Sequence, residues 1–189
     1  MALQLSAAGM QNVRADETWI FFDPSKMQAF GGLEFRMSKL TWDDLVIQDI
    51  SPEQFRDWFS PWNGVVTGRV APAFMSKFGL WFLRRPEGHV EILDVISGEL
   101  SRIADSYEDF IKEVNQQWWQ ETLLFSKLVL QLHQEEKIPG PGQCYALAPH
   151  PALGGPNPFA GDAIDPSFVM VTDIIVWQSF CAQTHGLGQ

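Results

Sequence analysis

Positive charge is scarce in this chain. Thirteen Lys and Arg stand against 23 Asp and Glu, leaving a formal net charge of -10 over 189 residues. Nucleic-acid binding rests on clustered basic side chains that displace phosphate counterions, so that class of partner is not expected. Cysteine is scarcer still, with Cys144 and Cys181 alone. Two cysteines in a chain of this length read as buried small hydrophobes in a reducing compartment, not as a disulfide framework. Long apolar runs are missing too. No stretch reaches the roughly 18 residues that a membrane helix needs. Residues 1–9 have neither a basic flank nor an apolar h-region, so no secretory leader is expected. The longest uncharged segment, 138–161, carries six Pro and five Gly, which excludes a spanning helix. The expectation is a cytoplasmic protein with no membrane partner.

Signatures of catalysis are equally thin. There is no Gly-x-Ser-x-Gly elbow, and Gly140-Pro141-Gly142 and Gly154-Gly155 lack the Lys and Ser or Thr that complete a phosphate loop. Turns account for those glycines. No cofactor and no metal are expected.

Large rings are what the sequence has in quantity: eight Trp, two Tyr and 14 Phe, in a chain 46% hydrophobic. A domain of this size buries about 70% of its unfolded surface and needs no disulfide or metal to hold it. Residues 18–22 and 33–37 read as short strands after a loose arm over the first 17 residues. At Ser51 a capping box begins, with Pro52 at the first helical position and Gln54 three residues after the cap. Phe55, Trp58 and Phe59 then share one helical face until Pro61 ends the helix. Runs at 78–85 and 89–95, joined by Pro86-Glu87-Gly88, make a hairpin, and Ser97-Gly98 turns the chain into a third strand over 100–104. Leu80-Trp81-Phe82-Leu83 is apolar on both faces and predicts a central strand. Ser106 caps a helix with Tyr107, Phe110, Ile111, Val114 and Trp118 inward, and Glu108 and Lys112 paired outside. A longer helix is expected from about 118 to 136, stopped by Pro139 and Gly140. A strand over 168–172 leads into a last helix capped by Asp173, with Ile174, Trp177 and Cys181 inward. The predicted fold class is α+β, an antiparallel sheet with a central three-strand meander packed against helices. Residues 64–189 are the main domain; residues 1–63 are an N-terminal region, with a small subdomain packed on the rest as one form it could take.

Candidate chemistry is limited to a few side chains. His133 and Glu136 lie three apart at a helix end, but the further ligands of a metal site are missing at any recognised spacing. Cys144 and His150 could supply a thiol and its base, yet Cys144 falls in a strand-like run and no third orienting group is indicated. His89 sits beside a turn in a strand. Acidic charge is concentrated: residues 41–57 carry a net -4 and residues 91–121 a net -6, together the whole net charge. Such windows are either solvated faces or a surface that steers a basic protein at long range. Trp42, Trp62 and Trp119 fit no inward stripe and read as possible contact anchors.

The second half carries a family likeness. It runs through Phe78-Gly79 to Asp94-Val95, and more strongly through Gly142-Gln143-Cys144-Tyr145 to Pro151-Ala152-Leu153-Gly154-Gly155, followed by a strand and a final helix. This pattern resembles bacterial type VI secretion immunity proteins, in which a GAD-like region precedes a C-terminal immunity domain. The likeness covers about residues 69–185, and it departs from the pattern at Pro149-His150 and in an insertion from Asn157 to Pro166. It implies a cytosolic, non-catalytic domain that blocks a toxin by binding it, and it brings no catalytic residue with it. The functional expectation is therefore an immunity protein that meets a basic partner through Asp43, Asp44, Asp49, Glu53, Asp57, Glu108, Asp109 and Glu113. The alternative is an uncharacterised hydrolase or metal-binding enzyme around Cys144, His133 and His150.

Overall fold

Leu80-Trp81-Phe82-Leu83 must be covered on both faces, and in the computed structural model, which describes residues 40–187, it is. β3 (Trp81–Arg84) is the middle strand of a five-stranded antiparallel sheet in which chain order and spatial order coincide. Its companions are β1 (Val46–Ile47), β2 (Ala71–Ser76), β4 (Val90–Asp94) and β5 (Glu99–Ala104). β3, β4 and β5 form the expected meander, with Phe82 opposite Ile92 and Leu93 opposite Leu100. β1 and β2 extend the sheet beyond the sequence expectation. Pro72 argues against a strand there because it donates no ladder hydrogen bond. The structure absorbs it with a register shift between Pro72 and Phe74.

Helices cover both faces. Ser51 Oγ accepts from the Gln54 amide at 3.1 Å while Gln54 Oε1 accepts from the Ser51 amide at 2.9 Å, which starts α2 after a four-residue α1. α1 spans Trp42–Leu45, and α2 spans Pro52–Phe59 before a tight turn through Ser60–Trp62. On one face Phe82 meets Phe110 of α3 (Tyr107–Val114) at 5.8 Å and Trp119 of α4 (Gln117–Leu123) at 5.2 Å. On the other, Trp81 meets Phe55 and Phe59 of α2, both at 5.4 Å. One continuous core results, running from Leu40 to Ala182, and residues 40–63 give it Trp58, Phe59 and Trp62.

The long helix expected over 118–136 is two helices. Phe125 adopts a left-handed conformation (φ 52) between α4 and α5 (Ser126–Gln134). The kink lets Trp119 pack on Phe82 while the Phe125 ring turns to meet Phe78 at 5.1 Å. Trp118, expected inward, is exposed, and Trp119 is buried in its place. A second, two-stranded sheet, β6 (Gln143–Leu147) with β7 (Val169–Asp173), is tied to the first by the Tyr145 amide donating to the Lys77 carbonyl. Asp173 Oδ1 accepts from the Ile175 amide at 2.8 Å and caps α6 (Ile174–Thr184), whose Ile174, Trp177 and Cys181 are buried as expected. The strands expected over 18–22 and 33–37, and the arm before them, lie outside the described residues.

Candidate functional site

The eight carboxylates named from the sequence do not share one face. Phe74 joins α1 and α3: the Trp42 ring meets it edge-on at 5.2 Å and the Phe110 ring stacks on it at 5.6 Å. Asp43 and Asp44 on α1 and Glu108, Asp109 and Glu113 on α3 therefore lie toward the same side of the sheet. Glu53 and Asp57 ride on α2, which packs against Trp81 on the opposite side. Asp49 sits in the turn between, at φ 55. The first acidic window is thus divided by the sheet, because the chain threads β1 through it between α1 and α2.

Several of these groups are already engaged. Asp44 Oδ2 accepts from the Thr41 amide at 2.7 Å, and Asp43 Oδ1 accepts from Gln48 at 3.0 Å. Arg56 lies between Glu53 at 3.9 Å and Asp57 at 3.2 Å. Lys112 reaches Glu108 at 3.1 Å and Asp109 at 3.2 Å. The Ser106 hydroxyl, with Lys112, holds the Asp109 carboxyl below its ordinary range, while Glu108 and Asp109 push the Lys112 ammonium upward. All three side chains are mostly exposed, where such pairs contribute little to stability. Glu113 has no ion-pair partner among the described residues. Between Asp105 and Glu113, four carboxylates stand against Lys112 alone.

The residues of the enzymatic alternative are not assembled. Cys144 is fully buried in β6, and burial pushes its thiol well above the usual range, so the reactive thiolate is suppressed. His133 lies on α5, where burial lowers its pKa against the opposing pull of Asp44. His150 is buried ahead of the tight turn Pro151–Leu153, its ring 5.6 Å from both Trp177 and Phe180. Its Nδ1 accepts from the Ala152 amide at 3.1 Å, which puts the neutral ring's proton on Nε2, an atom with no partner among the described residues. No group of three or more His, Cys, Asp or Glu suited to a metal occurs among them. Trp62 and Trp119, read from the sequence as contact anchors, are buried at 0% and 1% exposure and serve the core instead.

No family model and no curated protein sequence matches the chain. The immunity-protein likeness therefore rests on its motif residues alone. The structure shows what those residues do. Tyr145 stacks obliquely on Phe78 at 5.0 Å and donates to the Lys137 carbonyl at 2.9 Å, and Gly154 and Gly155 close the turn around His150. No helix among the described residues is long and apolar enough to cross a membrane.

Two features escaped the sequence. A shallow cavity of about 290 Å³ lies beside β1, lined by Ile47, Lys77 and the loop from Pro139 to Gln143. Burial lowers the Lys77 pKa, partly offset by Asp44 and Asp43. The second is Gln178, fully buried in α6. It accepts from the indole N–H of Trp62 at 2.6 Å and of Trp81 at 3.0 Å, and donates to the Gly79 carbonyl at 2.9 Å. No local signal singles it out, since α6 also carries Gln183, which is exposed.

His150 is expected to make the protein acid-sensitive. Burial, and secondarily His185, lower its pKa in the folded state, so folding favours the neutral ring. The unfolded chain titrates near 6.5. Stability contributed by the neutral ring is complete above that value and is lost as pH falls from about 6.5 toward the depressed folded pKa, at up to about 1.4 kcal/mol per pH unit. Urea unfolding at pH 7.5 and pH 5.5 should show this loss, and it should shrink in a His150→Gln variant. An undiminished loss in that variant would assign the acid sensitivity to other groups.

Proposed function

We propose that the chain is a non-catalytic protein-binding domain that docks a basic protein through the carboxylates of α1 and α3. With the motif likeness added, the partner is a bacterial toxin that this domain neutralises in the cytoplasm. The observation that carries the reading is the joining of α1 and α3 across Phe74, which gathers five of the eight carboxylates on one side of the sheet. An acidic surface of that kind speeds encounter with a cationic partner and fixes its orientation, and its pull weakens as salt rises.

The test uses whichever protein stays bound when the chain is purified from its native host. Asp44 and Asp109 are left unchanged, since each accepts a local hydrogen bond that shapes its helix start. Reversing Asp43, Glu108 and Glu113 to Lys should weaken the complex by about 100-fold at low salt, taking about 1 kcal/mol per reversed charge. Reversing Glu53 and Asp57, across the sheet, should leave affinity unchanged. Equal loss from the two sets, or none from the first, overturns the assignment.

A further inference from the structure

An apolar surface lies on α6, away from the acidic side of α1 and α3. α6 carries no charged residue, and its outer side shows Ile175, Val176 and Phe180 at 47%, 59% and 36% exposure, beside Met170 of β7 at 49%. Apolar side chains gathered on the exposed side of a helix mark a surface that something covers. β7 is an edge as well. Its sheet has two strands, and β6 turns its far side toward Lys77, so no described strand pairs with the outer side of β7. An open strand edge next to exposed apolar side chains is a template for another extended segment.

We propose that this surface is covered by residues 18–22 of the same chain, Thr-Trp-Ile-Phe-Phe, lying along β7 and over Val176 and Phe180. Three observations select that occupant. First, its chemistry fits: the segment is uncharged with four large apolar side chains in succession, matching a charge-free face that offers nothing to a basic partner. Second, the first described helix lies close by. The Leu45 carbonyl accepts from the Lys77 amide, the Lys77 carbonyl accepts from Tyr145, and Tyr145 pairs with Val171 of β7. Three steps of about 4.8 Å separate the end of α1 from β7. Third, the length suffices. Seventeen residues lie between Phe22 and Leu40, and at about 3.3 Å each they reach several times that distance. The acidic side of α1 and α3 is then left as the surface open to a partner.

Cross-linking in the full chain tests the proposal. Ile20→Cys with Val176→Cys, under mild oxidation, should give an intrachain disulfide in a monomer, mapped by peptide analysis. The native Cys144 and Cys181 are fully buried and stay out of the reaction. A disulfide-linked dimer would show that a second copy covers the surface, and no cross-link would show that residues 18–22 do not; either overturns the proposal. Hydrogen exchange gives an independent readout. In the unsubstituted protein the amides of residues 18–22 should exchange at least about tenfold more slowly than those of residues 1–9. In Val176→Asp that protection should vanish while β3 keeps its own. Equal exchange of the two segments, or protection that survives the substitution, counts against the docking.

Discussion

Replacing Gln178 with leucine is expected to cost about 3–5 kcal/mol in urea unfolding, a large share of the stability of a domain this size. The side chain is fully buried, and its amide is the meeting point of three elements. The Trp62 indole comes from the turn after α2, the Trp81 indole from β3, and the Gly79 carbonyl from the turn before β3. Leucine fills similar space but leaves two N–H donors and one carbonyl buried without partners, each at a cost of about 1–3 kcal/mol. Gln178→Glu separates the roles. A carboxylate still accepts from both indoles but cannot donate to Gly79, and it places a charge in an apolar site. Its folded pKa must rise, so the variant gains on the wild type below about pH 4, where the acid is protonated in both states. It falls behind as pH rises through the raised value. A Gln178→Leu variant within about 1 kcal/mol of wild type would mean that water reaches the indoles and the network is not structural.

How that glutamine stayed hidden shows where reading by periodicity stops. Spacing placed Ile174, Trp177 and Cys181 inward on α6, and all three are buried. Gln178 lies beside them on the helix, but a polar residue at the border of an apolar stripe reads as solvent-facing unless its partners are known, and those partners are 116 and 97 residues away. The meander was legible because each of its strands is bounded by its own turn, and the cap at Ser51 because its reciprocal bonds are local. Trp118 and Trp119 were assigned the wrong way round. The inward stripe of α3 was carried across Asn115 and Gln116, where α3 ends and α4 starts with a new phase. β2 has no such local mark, and its Pro72 is accommodated by a register shift that only the folded sheet supplies. The acidic windows were counted correctly along the chain. Their division between two sides of a sheet depends on β1 passing between α1 and α2, which no local pattern announces.

The paired glycines after Leu153 should respond very differently to alanine, although the sequence gives them a single turn role. Gly154 has φ 86, in the left-handed region, yet a Cβ there would meet nothing within 4 Å. Alanine at 154 therefore costs only the backbone strain, about 1 kcal/mol. Gly155 is not left-handed, but its added Cβ would collide with the carbonyl oxygen of Pro149. That obstacle is backbone, which cannot rotate aside, and the Gly155 amide also donates to the His150 carbonyl at 3.1 Å. Alanine at 155 has to push Pro149 and His150 apart from the turn, and so shifts the buried imidazole off Trp177 and Phe180. The expected loss is about 3 kcal/mol or more, in the range of disrupted core packing. The same shift opens His150 to water, so the loss of stability between pH 7.5 and pH 5.5 should be smaller in Gly155→Ala than in the wild type, and unaltered in Gly154→Ala. Urea unfolding of both variants at the two pH values measures cost and slope together. If Gly154→Ala proves the costlier, positive φ is the requirement at this turn; if Gly155→Ala keeps the wild-type pH slope, the close approach to Pro149 does not seat His150.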